Sequence, residues 1–317
     1  MGTSGEFVTA FAPASIGNVA VGFDMLGLAI AGAGDRVLAR RVDGDNSFIS
    51  AVYGLDGKPH SGLSRDITEN TAGVAAAALW RKHGHGGLEL IVRKGVPLQS
   101  GMGSSAASAV AGAVAANACL AEPLPLTSLM PFALAGEAVA SGSVHADNVA
   151  PSLLGGLVLC PPVLSPDVIR LGVPQGVSSV VLHPELQVNT AESRRGLAKE
   201  VAMDKWLAQQ GYLAAFIEAC RTSDHELLRR CLHDVIIEPQ RAASVPCFPA
   251  VREAALRHRA YGCSLSGSGP SIFVLCADGD APAISAAMEE ACRQQGYECQ
   301  LWISPMTAEG ACVEASQ

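Results

Sequence analysis

The chain has 317 residues, more than a single hydrophobic core normally organises, so two domains are expected. Its 49% hydrophobic and 16% charged content suits a packed core, and a formal net charge of −8 gives no general footing for nucleic acid or anionic lipid. An anionic ligand would need a local device such as backbone amides, a metal ion or a few arginines.

The opening residues, MGTSGEFVTAFAP, lack a basic stretch followed by a long apolar run, and Glu6 stands where myristoylation wants serine or threonine. No apolar stretch reaches the roughly 18 residues of a membrane span, so a cytoplasmic protein is expected. Ten cysteines are scattered from Cys119 to Cys312 without a C-x-x-C spacing, most of them in apolar stretches, and read as buried reduced thiols.

Alternating or apolar runs at FVTAFAP, DRVLARRV, SFISAVY and LELIVRK predict strands. Between the first two, PASIGNVAVGFDMLGLAI reads as a loop in which Asn18 and Asp24 sit among Gly17, Gly22 and Gly27. ITENTAGVAAAALWRKHG predicts a helix that Thr68 or Asn70 can cap and Gly84 can end. His83 and His85 lack further nearby ligands and read as a solvated turn rather than a zinc site. A second helix is expected from Ser104 to Leu120, and a third, LTSLMPFALAGEAVASG, from after Pro125 to Gly142, with Pro131 near its first turn. His145, Asp147 and Asn148 then fall in an expected loop, and SLLGGLVLC reads as a buried strand.

The breaker-rich PPVLSPD reads as a crossing between domains, giving residues 1–165 and 166–317 as the two units. In the second half VSSVVLHP and YECQLWIS predict strands, and DKWLAQQGYLAAFIEAC and APAISAAMEEACRQQG predict helices. HELLRRCLHDVII reads as an ordinary amphipathic helix, and GCSLSGSGPSIFVLC as strand, glycine turn, strand. Strands and helices mixed in both halves favour α+β layers over a doubly wound sheet.

Three stretches can carry chemistry. In PLQSGMGSSAAS, residues 97–108, glycines precede strong helix formers, a pattern that fits an anion cradle and, taken alone, equally a plain helix cap. No lysine follows the last glycine, so this is not a Walker A loop; Ser104 and Ser105 stand there instead and could cap the helix or ligate magnesium. Asp24 lies among apolar neighbours and calls for a partner, although a local turn-stabilising role would also account for it. Glu137, in an apolar part of its helix, could be an inward metal ligand or a solvated side chain.

In this order the stretches resemble the GHMP kinase superfamily. PLQSGMGSSAAS is similar to its phosphate-binding signature, with Met102 in place of leucine, and SGSGP, residues 266–270, is similar to its third motif. PASIGNVAVGFDMLGLA together with HADNVAPSLLGG resembles the branch that phosphorylates homoserine, departing from it at Ile16, Gly17 and residues 19–21. The resemblance implies an N-terminal ribosomal protein S5 domain 2-like domain, a ferredoxin-like C-terminal domain and ATP between them. It implies ATP-dependent phosphorylation of the L-homoserine hydroxyl to O-phospho-L-homoserine in threonine biosynthesis. Another small-molecule kinase of the superfamily, acting on mevalonate, shikimate or a sugar, and a non-catalytic nucleotide-binding regulator are the alternatives.

By the same resemblance, Pro97, Ser100, Gly101, Met102, Gly103, Ser104, Ser105 and Ala106, with Gly267 and Gly269, would hold the nucleotide. Ser105 or Ser104 and Glu137 would position Mg2+. Asp24, assisted by Asn18, would take the substrate ammonium, and Thr190, Arg194 and Arg241 its carboxylate, with Arg195 competing for the role of Arg194. Related kinases place a carboxylate base where this chain has Asn148; Asp147 is adjacent, but neighbours in an extended loop point apart. Asn148 is therefore expected to orient the hydroxyl, with the proton leaving late to phosphate. A homodimer is expected by analogy with the superfamily alone.

Overall fold

A computed structural model describes residues 5–141 and 145–315, arranged as two sheets with helices packed on each. Strands β1 (Val8–Gly17), β2 (Leu26–Val42), β3 (Phe48–Tyr53), β4 (Gly87–Arg93), β5 (Leu157–Leu159) and β6 (Ile169–Arg170) belong to the first sheet. Strands β7 (Val177–Pro184), β8 (Gly262–Leu265), β9 (Ile272–Ala277) and β10 (Cys299–Pro305) form the second, and β11 (Cys312–Glu314) returns to pair with β1 in the first.

Four helices accompany the first sheet: α1 (Thr71–His83), α2 (Ser104–Ala118), α3 (Met130–Ser141) and α4 (Ala146–Leu154). The second half adds α5 (Thr190–Arg195), α6 (Met203–Thr222), α7 (His225–Cys231), α8 (Glu238–Arg241), α9 (Phe248–Arg257) and α10 (Ala281–Gln294). The main path of the first sheet runs β11-β1-β2-β4-β3, antiparallel except between β3 and β4. The second runs β10-β7-β9-β8, antiparallel throughout. With α9 before β8 and α10 before β10, this second unit has the ferredoxin-like arrangement.

The element that sets the site is α2. Its alanines and valines are buried on all sides, as befits a central helix, and the lack of large side chains lets its neighbours close in. A Cβ on Gly112 would stand 2.3 Å from the Ala72 carbonyl oxygen of α1, and one on Gly136 of α3 would stand 2.5 Å from that of Thr71. Asn70 caps α1 by accepting the Ala72 and Gly73 amides at 3.1 and 3.4 Å, and Gly84 ends it. One apolar core joins the two sheets, combining Leu26, Leu28, Ile30 and Met102 with Val181, Phe216 and Phe273. The start of α2 therefore lies at the seam between the halves.

Three stretches differ from expectation. LGLAIAGAG is the first part of β2, a 17-residue strand; glycine and alanine, buried on both faces, leave no alternation to read. His145 to Leu154 is a helix start and helix, not a loop. Pro151 masked it: the missing N–H leaves the Asp147 carbonyl without its helical donor, and that oxygen lies where a Cβ on Gly27 would come within 1.7 Å. SLLGGLVLC is correspondingly strand only at Leu157–Leu159. The helix end expected at Gly142 lies outside the described residues. All ten cysteines are free thiols, seven of them buried, and no described helix is long and apolar enough to cross a membrane.

Candidate active site

The start of α2 differs from that of α1. Its cap residue is Gly103, at φ 66°, and no side chain hydrogen-bonds the first-turn amides. The serine that could have done so points elsewhere: Ser104 Oγ donates to the Val96 carbonyl at 3.0 Å. Three or four backbone N–H groups and the positive end of the helix are thus left to face the cavity above. Glycine is required where the chain closes over itself. A Cβ on Gly103 would sit 2.4 Å from Ser15 Oγ, and one on Gly101 (φ 74°) 2.4 Å from the Ser266 carbonyl. The 97–103 and 266–270 turns are locked together by Ser266 Oγ donating to the Gly101 carbonyl at 2.7 Å and the Ser271 amide donating to that of Ser100 at 3.1 Å.

Under the cradle lies a buried charge pair. Lys94 Nζ donates to the Asp35 carboxylate, to the Ser104 carbonyl at 2.9 Å and to Ser108 Oγ at 2.8 Å. The other Asp35 oxygen accepts the Gly95 and Val96 amides at 2.8 and 3.1 Å. The pair pins the first turn of α2 to β2 and β4; removing one partner of such a pair costs about 3–5 kcal/mol.

A cavity of about 690 Å3 runs past the cradle. Its wall includes Gly62, Leu63, Ser64, Asn70, Thr71 and Val92, and also Asn18, Asp24, Thr190, Arg194, Arg241 and Ser268. Glu137, His145, Asp147 and Asn148 border it as well.

The first turn of α4 supplies the two adjacent candidates, and they do not point apart. A Cβ on Gly17 would lie 3.1 Å from both Asn148 Oδ1 and Asp147 Oδ2, so both side chains converge on the end of β1. Asn148 Oδ1 accepts a hydrogen bond from Ser15 Oγ at 2.9 Å. Asp147 Oδ2 accepts the Asn18 amide at 3.2 Å, while Oδ1 is buried without a hydrogen-bond partner among the described residues. Burial, with the nearby Asp24 charge adding to it and His145 opposing it, pushes the Asp147 carboxyl up to about 6. His145 Nδ1 lies 3.1 Å from Glu137 Oε1. Burial of His145 works against its charged form, but the Glu137 hydrogen bond and the Asp147 and Glu137 charges outweigh it and raise the imidazole above its usual value.

Before Asp24, Asn18, Val19 and Ala20 take successive left-handed φ values of 69°, 45° and 58°, strained for non-glycine residues. Asn18 holds the turn through Asp147, through Nδ2 donating to the Gly267 carbonyl at 3.1 Å, and through Oδ1 accepting the Asp24 amide at 3.0 Å. Asp24 is thereby fixed, itself at φ 56°, and both its oxygens accept from one Arg194 nitrogen at 2.7 and 2.9 Å. Arg241 is buried, donates to the Gly267 carbonyl at 2.9 Å and is pulled below the usual arginine value by burial, with Asp24 offsetting it.

With that geometry in place, comparison with known proteins is decisive. The family model for the GHMP kinases N terminal domain matches residues 70–156, and that for GHMP kinases C terminal matches residues 216–294. A homoserine kinase of Xylella fastidiosa is 43% identical over 308 residues, covering 95% of this chain and 92% of the relative. One of Chloroherpeton thalassium is 39% identical over 317 residues, covering 96% and 98%. This chain belongs to the homoserine kinase family of GHMP kinases. The crystal structure of homoserine kinase from Cytophaga hutchinsonii superposes with a TM-score of 0.93 at 37% identity, covering 99% of both chains.

As a member of that family the chain shows a compact arrangement of the residues expected from sequence. Ser100, Gly101, Gly103, Ser104, Ser105 and Gly267 border the cavity with Asn18, Asp24, Glu137, Asp147, Asn148, Thr190, Arg194 and Arg241. Pro97, Met102, Ala106 and Gly269 do not border it; Met102 packs in the core joining the sheets. Arg194 faces the cavity, whereas Arg195 is exposed outside it. Sequence reasoning missed Lys94, whose signal was a lysine flanked by an apolar strand and Gly95, and Ser268, which meets Thr190 Oγ1 at 3.2 Å. It also passed over His145 as a site residue and the whole 62–71 wall of the cavity, which no local pattern marks.

Proposed function

We propose that this chain transfers the γ-phosphoryl group of ATP to the side-chain hydroxyl of L-homoserine, giving O-phospho-L-homoserine and ADP, a step toward threonine. The observation that carries this reading is the uncapped start of α2 lining one cavity together with a fixed carboxylate and two arginines. Homoserine is a zwitterion, and only an acceptor with both charges matches that set. Galactose has no charge to exchange with the Asp24–Arg194 pair, and mevalonate or shikimate, in taking Arg194, would leave Asp24 without its cation.

The phosphates lie along the amides of residues 101–106, and the adenosine part lies toward residues 62–71. Asp24 receives the ammonium; Arg194 and Arg241, with Thr190, receive the carboxylate. Substrate binding is then an exchange, in which the Asp24–Arg194 pair opens and each charge takes its opposite on homoserine. Asn18 has both ends of its amide committed, and its part is to hold Asp24 rather than to touch substrate.

The donors fit a magnesium ion. Ser105 and Glu137 are hard oxygen ligands on one cavity, and magnesium commonly takes one or two carboxylates and completes its shell with phosphate and water. Ser105, half-exposed and without a hydrogen bond among the described residues, suits this better than Ser104, whose hydroxyl serves Val96. When bound, the ion neutralises charge on the phosphates.

Asn148 orients the hydroxyl, which it can do through its amide nitrogen while Ser15 holds its oxygen. The oxygen attacks the γ-phosphorus, the bond to the ADP oxygen breaks, and the proton leaves late to the transferred phosphoryl group. We place residues 1–165 and 166–317 as the two domains, with β6 and β11 of the second stretch returning to the sheet of the first. The ten free thiols support a reducing compartment, the cytoplasm; the acidic balance offers nucleic acid and anionic membranes no general footing; and a homodimer rests on analogy with the superfamily. Phosphorus NMR of a mixture of protein, ATP, Mg2+ and homoserine tests the reaction: one phosphomonoester on the homoserine oxygen is expected per ADP, and ADP with free phosphate alone would contradict it.

A further inference from the structure

Phe23 is half-buried immediately before Asp24, yet among the described residues it belongs to none of the apolar cores and does not border the cavity. Its ring faces charge. The guanidinium carbon of Arg194 lies 5.6 Å from the ring centre, and that of Arg241 lies 5.3 Å from it. Both distances are within reach of the attraction between a cation and an aromatic face. The two arginines reach this ring from separate elements, α5 and α8, and carry like charges, Arg194 being held also by Asp24 and Arg241 by the Gly267 carbonyl. Each also has a buried Nε without a hydrogen-bond partner among the described residues, a state that an apolar neighbour alone would leave costly.

We propose that Phe23 is a positioning residue for acceptor recognition: its ring gathers the Arg194 and Arg241 guanidinium groups so that both present to a single carboxylate. This rests on the assignment of those two arginines to the substrate carboxylate. The ring does not touch substrate; it acts through the arginines by its charge distribution, which an aliphatic side chain of similar size lacks. Because Asp24 is the next residue, one short segment sets both the ammonium partner and the platform for the carboxylate partners.

Steady-state kinetics with homoserine, and with aminopropanol, which is homoserine without its carboxylate, test the proposal. Phe23→Leu raises KM for homoserine about tenfold while KM for ATP and kcat/KM for aminopropanol hold; Phe23→Tyr stays within about twofold of the parent. Graded ring fluorination at position 23, which weakens the quadrupole at nearly constant shape, raises KM for homoserine stepwise, and this readout survives even if the leucine variant folds poorly. Equal loss with both acceptors, or no response to fluorination, would overturn the proposal while leaving the arginine assignment standing. If Arg194→Ala and Arg241→Ala themselves leave KM for homoserine unchanged, the assignment fails and the proposal with it.

Discussion

Asp147 is the residue whose surroundings and role pull in different directions. Its carboxyl is buried and raised to about 6 in the folded protein, above the ordinary value of 3.8. A carboxyl raised by folding stabilises the fold while protonated: that contribution is complete below about pH 4 and is lost as pH rises through about 6. At neutral pH the ionised group therefore costs about 2–3 kcal/mol relative to the protonated one. Asp147→Asn is expected to raise the melting temperature at pH 8 and to flatten its fall between pH 4 and pH 6, measured by thermal melts across that range. Its turnover should stay within about tenfold of the parent, because a general base would be worth roughly 10²–10⁴ in rate. A loss of several orders of magnitude with homoserine binding intact would make Asp147 the base and displace Asn148 from the lead.

At the scale of elements, the start of α2 answers how a helix without a side-chain cap remains useful. Gly103→Ala places a Cβ against Ser15 Oγ, 2.4 Å away, on a backbone that disfavours any side chain. It should raise KM for ATP about tenfold or more, with KM for homoserine moved less, since strain of this kind costs about 1–3 kcal/mol. Elements were legible where their signals are local. Asn70, the alanine run and Gly84 announce α1 in one stretch, and the glycines before Ser104 announce the cradle. They were hidden where a local rule is overridden by contacts made elsewhere. Pro151 reads as a breaker, yet it lies inside α4, where Gly27 lets the strand pack closely against the Asp147 carbonyl and the proline ring. The Lys94–Asp35 pair joins residues 59 apart, and neither end carries a motif.

For the whole molecule, the site exists only because two units meet. The uncapped helix start comes from the first half, with the first sheet and α2; Arg194, Arg241 and the 266–270 turn come from the second half; and a continuous apolar core holds them in register. The layered α+β architecture and the ferredoxin-like second unit agree with the sequence reading. The resemblance brings Asp24 and Arg194 to one site; what no sequence pattern exposes is that these residues, 170 apart, meet there as an ion pair. The central claim is that this pairing of a phosphate cradle with opposed acceptor charges selects homoserine. It is tested most directly by ADP release, in a coupled assay with ATP and Mg2+, across homoserine, mevalonate, shikimate and galactose. The account predicts turnover with homoserine and kcat/KM for each other acceptor lower by about three orders of magnitude or more, as expected when an acceptor lacks a charge that the site is built to pair. Comparable turnover with any of the other three, or silence with all four despite ATP binding, would contradict it.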